Sequence, residues 1–436
     1  MKPAQSYRIA VADVNGQARG KRLPAGKLDE LALGSARMPL SALNVDVSGA
    51  DIEDSPLLWE SGDADGTLLP TGRGPIPMPW LDSQSELIPM WMWKAGLPFH
   101  GDPRHALARV LDRYTQRGWT VIAATELEFY LLEAAYLTEM SPASAPGRAV
   151  THIGEAILSL DELDAFDNFF TALYDGAEAM GIPAQSATSE SGIGQFEINL
   201  DHRPAMRAAD DAWLFKLLVR GLARRYGMAA TFLAKPFSDS AGNGLHMHFS
   251  VLDDDGRNIF DDKGPMGTDM LRHAVAGCLR AMRPSTLVFA PHGPSYARFE
   301  ESSHAPINAV WGYENRTAAI RIPGGSSKAR RIEHRVAGGC VNPYLHFAAV
   351  LGAALNGIED RLEPPAPIAG NAYEVDAPEM HRDWAAAIDD FETSEEMARI
   401  FHPELIRNYV LTKRQEIARF GTVDVPKRHA LYLESV

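Results

Sequence analysis

Apolar and polar residues alternate along the chain with two different periods, which together predict a protein that mixes helices and strands. In the segment that begins at Asp102, apolar side chains recur at helical spacing, and Gly118 is placed to end the helix. The same spacing is found further along the chain. The predicted helices cover residues 102–118, 160–181, 207–227 and 342–360.

The first 98 residues have a different pattern, in which short apolar runs are broken by Gly, Pro, Asp and Ser. Residues 6–24 are typical of a strand, a turn and a second strand, and residues 22–37 have room for one short helix. We therefore predict an α+β fold, with a small N-terminal domain over residues 1–98 and a larger α/β domain over residues 99–436.

Four predicted strands of the larger domain carry chemically active side chains on their polar faces. Side chains two residues apart lie on the same face of a strand, while the residues between them point to the opposite face. The opposite faces are apolar in the first three strands and carry Ile332, His334 and Val336 in the fourth. The four polar faces contain Glu126 and Glu128; Gln195, Glu197 and Asn199; His246, His248 and Ser250; and Arg331, Glu333 and Arg335.

A sheet with one solvated side explains such alternation without any function. However, carboxylates are uncommon in strands, and two of them on one face repel each other unless a cation lies between them. With Glu190, which precedes a Gly-rich turn, five carboxylates and one or two imidazoles would converge. Such a set suits Mg²⁺ or Mn²⁺, and its size indicates two or more ions per site.

Arginines are concentrated in one short region after this acidic set, and two alternatives explain them. They form either a solvated basic stretch or a pocket for phosphate and carboxylate groups, and the apolar interruption AAIRIP favours the pocket. Metals beside arginines are typical of phosphoryl transfer. Arg316 and Arg321 are an odd number of residues apart, so we expect Arg316 to precede the strand that holds Arg321. The region contains Arg298, Arg316, Arg321, Arg330, Arg331 and Arg335.

Charge and composition exclude several other classes of protein. The 436 residues carry a net charge of −15, which is unfavourable for binding nucleic acid or an anionic membrane. No apolar run approaches the length of a membrane span, and two cysteines cannot form a disulfide framework or a structural zinc site. We expect a cytoplasmic protein. P-loop, Rossmann and nucleophile-elbow motifs are absent from the sequence.

The order of these motifs resembles the glutamine synthetase superfamily over nearly the whole chain. The motifs are TELEF, ESGIGQFE, GNGLHMHFS, SYARF, ENRTAAIRIP and KARRIEHR. DVNGQARGKR and PPAPIAGNAYE are similar to the branch of γ-glutamyl-polyamine and γ-glutamyl-amine ligases. The resemblance implies a β-grasp-like N-terminal domain and a catalytic domain with a curved antiparallel sheet. It also implies a homododecamer of two hexameric rings, with active sites between subunits.

The resemblance further implies a reaction in which ATP phosphorylates the γ-carboxylate of glutamate and an amine or ammonia then displaces phosphate. It implies that Glu128, Glu190 and Glu197 bind one metal ion. It implies that Glu126, His246 and Glu333 bind another ion. His248, Ser250, Lys328 and Arg331 correspond to positions near the nucleotide. Arg298 corresponds to the residue that holds the glutamate carboxylate, while Arg316 and Arg335 correspond to residues that steady the phosphoryl group and the substrate carboxylate.

Two departures from the family pattern place ammonia in doubt as the nitrogen donor. His304 stands where the family has a glutamate that helps to bind and deprotonate ammonium, and an imidazole attracts ammonium less. The family's Asn-Gly-Ser-Gly is replaced by residues 241–244, so that the asparagine is displaced to Asn243. Both changes favour a larger amine, such as a polyamine, ethanolamine or an alkylamine.

Acidic residues of the N-terminal domain are candidates for the part of the amine site that a neighbouring subunit contributes. They are Asp46, Asp63 and Asp65, and turn-forming aspartates are the equally weighted alternative. Two further interpretations of the whole chain remain. It could be an authentic glutamine synthetase, or a catalytically silent protein on the same scaffold, although the complete set of carboxylates argues against a silent protein.

Overall fold

A computed structural model gives the structure of the chain and describes most of its residues. The described residues are 4–31, 34–133, 141–143, 155–301, 303, 305–421, 423, 430–433 and 435–436. His304, which was predicted to select the nitrogen donor, lies outside them.

The N-terminal part of the chain forms a mixed sheet of seven strands with two short helices. Strand β1 pairs antiparallel with β2 and parallel with β6. Ile9 and Val11 of β1 enter a small core within this part, whereas Ala10 and Ala12 face the large core of the rest of the chain. The elements are β1 Ser6–Ala12, β2 Ala18–Pro24, α1 Leu28–Leu31, β3 Arg37–Pro39, α2 Pro56–Trp59, β4 Asp65–Pro70, β5 Ile76–Pro77, β6 Ser85–Lys94 and β7 Leu97–Pro98.

A second sheet of eight strands carries the polar faces predicted from the sequence. Its strands are β8 Thr120–Glu133, β9 Ala184–Ser189, β10 Gln195–Pro204, β11 Met228–Thr231, β12 Leu245–Leu252, β13 Trp311–Tyr313, β14 Ile320–Ile322 and β15 Ile332–His334. Their order is β13-β14-β15-β12-β8-β10-β9, with β11 also paired to β8. The pairing is antiparallel except between β13 and β14.

Helices pack against the second sheet and against one another. The helices are α3 Pro103–Thr115, α4 Leu160–Ala165, α5 Asp167–Met180, α6 Ala205–Arg225, α7 Asp269–Met282, α8 Thr286–Phe289, α9 Pro343–Asp360, α10 Trp384–Thr393, α11 Glu395–Ile400 and α12 Pro403–Phe420. Helix α9 is buried from Pro343 to Ile358, and α3, α6, α7 and α11 contact it. Within the described ranges, no helix is both long and apolar enough to cross a bilayer.

The α+β fold and the helices near residues 102, 207 and 342 are confirmed. The predicted helix over residues 160–181 is divided, because the backbone of Phe166 leaves the helical conformation between α4 and α5. The predicted strand around Glu333 covers only three residues. The division into domains at residues 98 and 99 stays a prediction.

Candidate active site

The pairing of the strands brings the predicted acidic and imidazole side chains into one band across the second sheet. Glu197 of β10 lies directly opposite Glu128 of β8, and Glu126 of β8 lies opposite His246 of β12. On the other side of β12, His248 lies opposite Glu333 of β15. Directly paired side chains on one face are about 4.5–5.5 Å apart at Cβ, so the register alone creates a continuous cluster.

Glu126 is the centre of this band, because both of its oxygens contact imidazoles. Its Oε2 lies 3.0 Å from Nδ1 of His246, and its Oε1 lies 3.0 Å from Nε2 of His248. Nε of Arg331 lies 3.2 Å from Nδ1 of His248, on the side of the ring away from Glu126. Burial tends to raise the pKa of Glu126, but the two histidines outweigh it and hold that pKa far below its usual range.

Glu333 is fully buried and is held between two arginines. Nη1 of Arg321 donates to its Oε2 at 2.9 Å, and Arg335 donates to its Oε1. Burial would raise the pKa of Glu333, yet the charges of Arg335 and then His248 bring the pKa below its ordinary value. Glu333 is therefore ionised and already compensated by positive charge.

Glu190 and Glu197 lie on the side of the band that lacks such compensation. Burial, followed by the charges of Glu128 and Glu126, raises the pKa of Glu190 to about 8. Burial and the charges of Glu126 and Glu128 also raise the pKa of Glu197 well above its usual range. Without a bound cation, these carboxyl groups hold protons at neutral pH because their negative charges cannot be accommodated together.

The donor atoms of the band fit divalent cations. Glu126, Glu197 and His246 offer ligand atoms within 4.8 Å of one another, and so do Glu126, His248 and Glu333. Carboxylate oxygens dominate both groups, which suits Mg²⁺ or Mn²⁺. The deficit of positive charge around Glu190 and Glu197 is what such an ion would correct.

The two groups differ from those that the resemblance implies. The resemblance placed His246 with Glu333, but the structure groups His246 with Glu197 and His248 with Glu333. His246 faces the Glu197 side because Glu126 holds its Nδ1, so that its Nε2 lies 3.8 Å from Glu128. The assignment of each ligand to a particular ion stays a prediction.

A cavity of about 610 Å³ opens beside Glu126 and contains the positions predicted to lie near a nucleotide. His248, Ser250, Lys328 and Arg331 all line it. The hydroxyl of Ser250 donates to the carbonyl of Arg330 at 2.9 Å, so it positions the segment before β15. The cavity therefore adjoins the cluster at Glu126 and His248.

The side chain of Arg298 is buried and approaches the cluster near Glu128. Its Nη1 donates to the carbonyl of Val336 at 2.7 Å. Burial lowers the pKa of Arg298, while the negative charge of Glu128 opposes that shift. A Cβ at Gly244 would lie 2.8 Å from Nη2 of Arg298 and 3.1 Å from Nε2 of His246, so only glycine allows this approach.

The charges of Arg316 and Arg335 act on Glu190. Arg316 is exposed and precedes β14, as its spacing from Arg321 predicted. The positive charges of Arg316 and Arg335 both lower the pKa of Glu190, which places them within electrostatic reach of it. Their individual roles stay predictions.

The three N-terminal aspartates have different surroundings. Oδ1 of Asp46 accepts hydrogen bonds from Ser48 and from the backbone N–H of Ala50, and Arg419 binds its Oδ2. Asp46 is completely buried, which favours the turn-forming alternative for this residue. Asp63 and Asp65 are exposed, although Asp63 accepts from the Ser41 hydroxyl and Asp65 lies 3.6 Å from Arg37. The contribution of these aspartates to a neighbouring subunit's site stays a prediction.

Three residues have roles that the sequence did not indicate. Arg321 holds Glu333, whereas the sequence placed it only among the arginines of a predicted anion pocket. Gln195 is on the predicted polar face, but its amide supports the loops by donating to Gly242 and Asn243. Asn243, the asparagine displaced from the family's position, is completely buried and donates to the carbonyl of Leu233. At this position it supports the loop.

Known proteins share both the sequence pattern and the fold. The family described as "Glutamine synthetase, catalytic domain" matches residues 100–430. Gamma-glutamylputrescine synthetase PuuA of Escherichia coli strain K12 is 33% identical over 95% of this chain and 89% of its own length. Gamma-glutamylethanolamide synthetase GlnA4 of Streptomyces coelicolor is 32% identical over 94% of this chain and 89% of its own. Glutamate–isopropylamine ligase of a Pseudomonas species is 32% identical over 99% of this chain and 95% of its own length.

Among solved structures, apo GmaS without ligand superposes with a TM-score of 0.85 at 27% identity, covering 97% of this chain and 95% of that one. The residues matched by the family, 100–430, include every strand that contributes to the acidic band. This chain is therefore a member of the glutamine synthetase family.

Proposed function

We propose that the chain is an ATP-dependent ligase that joins the γ-carboxylate of glutamate to an amine larger than ammonia. An oxygen of the γ-carboxylate forms a bond to the terminal phosphorus of ATP, and ADP leaves as the bond between that phosphorus and ADP breaks. The amine nitrogen then attacks the γ-carbonyl, phosphate leaves with the C–O bond electrons, and the nitrogen loses its proton. The products are a γ-glutamylamide, ADP and phosphate.

The observation that carries this proposal is the junction between the acidic band and the 610 Å³ cavity at Glu126 and His248. Phosphoryl transfer needs cations to neutralise phosphate oxygens and a fixed line between donor and acceptor. A nucleotide in the cavity would present its terminal phosphate to the band. A binding protein without chemistry has no need for carboxylates that raise one another's pKa values.

The chain's own residues have defined tasks in this proposal. Two or more Mg²⁺ or Mn²⁺ ions, held by the two ligand groups, would supply charge neutralisation and polarisation of phosphate oxygens. Arg298 binds the carboxylate of glutamate from its buried position, and Arg316 and Arg335 bind the phosphoryl group and the substrate carboxylate. Arg321 fixes the orientation of Glu333 and is a positioning residue.

Two sequence observations support an amine in place of ammonia. The three relatives described above are named for putrescine, ethanolamide and isopropylamine, and all are aligned over at least 94% of this chain. The family's ammonium-binding glutamate is replaced by His304. A neutral or protonated imidazole attracts a small ammonium ion less than a carboxylate does. We also propose assembly into two hexameric rings in the cytoplasm, with Asp63 close to a neighbouring subunit's amine.

The test is phosphate release by purified protein with glutamate, ATP, Mg²⁺ and a panel of amines, with the product mass measured. We expect a product that equals glutamate plus the amine minus water, and little turnover with ammonium. Glu197→Gln should abolish turnover, whereas Glu178→Gln, an exposed carboxylate on α5, should not change it. Equal or faster turnover with ammonium would make the chain a glutamine synthetase. ATP binding without phosphate release under any amine would support a silent scaffold.

A second experiment tests the selection of the nitrogen donor. His304→Glu restores the family's residue, and His304→Gln is the control that removes the imidazole without adding a charge. We expect ammonia turnover to rise in the glutamate variant alone. An unchanged ratio of amine to ammonia turnover in both variants would show that this position does not select the donor.

A further inference from the structure

A second cavity, of about 360 Å³, lies between the first sheet and helix α6. It shares no lining residue with the cavity beside the acidic band. Its walls come from β1, β2, β6, the segment that contains Trp80, and α6. Nothing in the proposed ligase reaction uses these residues, so the cavity requires a separate explanation.

Small residues on paired strands create this cavity. In the register of β1 and β2, Ala10 lies opposite Gly20 and Ala12 lies opposite Ala18. These side chains are on the same face as Arg8, because even-numbered residues of β1 share a face. The absence of bulk at Ala10 and Ala18 leaves a hollow that α6 covers on one side.

Two arginines face each other across the end of this hollow. Arg8 and Arg22 are directly paired in the register, and like charges in that arrangement destabilise a sheet. Among the described residues, neither makes an ion pair or a side-chain hydrogen bond, and Nη1 of Arg8 is buried without a partner. Lys21, the third cation of these strands, is different because its amine donates to the carbonyl of Arg37.

Helix α6 adds a third arginine and part of an apolar wall. Arg224 and Leu217 are seven residues apart, which is close to two turns, so both face the hollow. Trp80 and Met78 line the remainder of the wall. The cavity therefore combines three cations without carboxylate partners and an indole surface, and no acidic residue lines it.

We propose that this cavity binds a small organic anion. Its carboxylate or phosphate group would lie between Arg8, Arg22 and Arg224, and its apolar part would pack against Trp80. An anion between Arg8 and Arg22 would satisfy the buried Nη1 and remove the repulsion between paired charges. Arginine suits both anionic groups because its planar fork can donate two parallel hydrogen bonds.

The test is calorimetric titration of the full chain with phenyl phosphate and, separately, with phenylacetate, at low salt in the presence of a chelator. Benzyl alcohol is the uncharged probe. We expect at least one anion to bind and benzyl alcohol not to bind. Arg8→Gln with Arg22→Gln should weaken binding about 100-fold, since each lost charge-assisted hydrogen bond costs about tenfold. Stronger binding of one anion identifies which group the cavity prefers.

Two matched variants separate this site from other anion sites. Arg203→Gln removes an exposed charge of β10 outside the cavity, and Lys328→Gln alters the proposed nucleotide cavity. Neither should change the affinity for the anions. Loss of binding with Lys328→Gln, or unchanged binding with the Arg8 and Arg22 pair replaced, would overturn the proposal. Failure of both anions to bind would also overturn it.

Two further measurements keep the proposal testable if the double variant does not fold. Arg22→Gln alone should raise the melting temperature in anion-free buffer and remove the additional stabilisation that the anion gives to the wild type. The anion should change the tryptophan emission of the wild type but not that of Trp80→Phe. An anion-induced emission change that persists in Trp80→Phe would place the ligand elsewhere.

Discussion

Replacement of Glu190 tests the electrostatic crowding in the band. In Glu190→Gln the crowded carboxylate is lost and a side chain of the same size remains. The pKa of Glu190 is about 8 in the folded protein, against an ordinary value of 4.5. Each pKa unit corresponds to about 1.4 kcal/mol, so full expression of the difference is about 5 kcal/mol. Because the carboxylate keeps some contact with water, we expect about 2–5 kcal/mol.

The sign of the effect follows from proton binding. As pH rises above 4.5, Glu190 of the unfolded chain loses its proton first, so folding of the wild type becomes less favourable until pH passes about 8. The glutamine variant has no carboxyl group at this position, so its folding does not become less favourable in this way. In metal-free protein the variant should therefore gain stability relative to wild type between pH 5 and pH 9, by the amount given above.

Added Mn²⁺ should reverse the order of stability. A cation that binds the folded state stabilises the wild type by mass action, and the variant has lost one of the nearby carboxylates. Urea unfolding at equal protein concentration, with chelator and with Mn²⁺ across this pH range, measures both effects. Glu178→Gln is the control and should show no pH-dependent difference. A Glu190→Gln difference that is independent of pH, or the same with and without Mn²⁺, would refute the reasoning.

Three other substitutions test the support of the site. Arg104→Met should lower the free energy of unfolding by about 3–5 kcal/mol in urea, because it leaves Asp210 buried without its bidentate partner; a loss under 1 kcal/mol would contradict this. Gly192→Ala should weaken Mn²⁺ binding, since its Cβ would lie 1.9 Å from the hydroxyl of Tyr130, and added Tyr130→Phe should restore binding. Asp46→Asn should cost about 1–3 kcal/mol of stability and leave the KM for the amine unchanged; a raised KM at unchanged stability would favour a role in the amine site.

The chemical content of the site was largely predictable because strand periodicity is a local property. Glu126, Glu128, Glu197, His246 and His248 were assigned to faces by alternation alone, and those faces meet in the structure. The convergence of separate strands is a consequence of register, which the sequence does not display. Recognition of the ordered motifs supplied that information.

Other features could not be read from the chain. The contact between Nδ1 of His246 and Glu126 depends on the side-chain conformations, which alternation along a strand does not specify. The role of Arg321 depends on its pairing with Glu333 across β14 and β15, two strands of only three residues. The short strands have too few residues for periodicity to define them. Helix α12 was not predicted. Lys413 of this helix donates to the side chain of Asn15 in the N-terminal part.

The central claim is that carboxylates on separate strands tolerate one another because divalent cations lie among them. Crystals grown with Mn²⁺ and a non-hydrolysable ATP analogue allow a direct test by anomalous diffraction. We predict at least two manganese peaks within ligand distance of the band formed by Glu126, Glu197 and Glu333, and none on other acidic surfaces. Absence of manganese peaks from this band at a saturating concentration of Mn²⁺ would contradict the account.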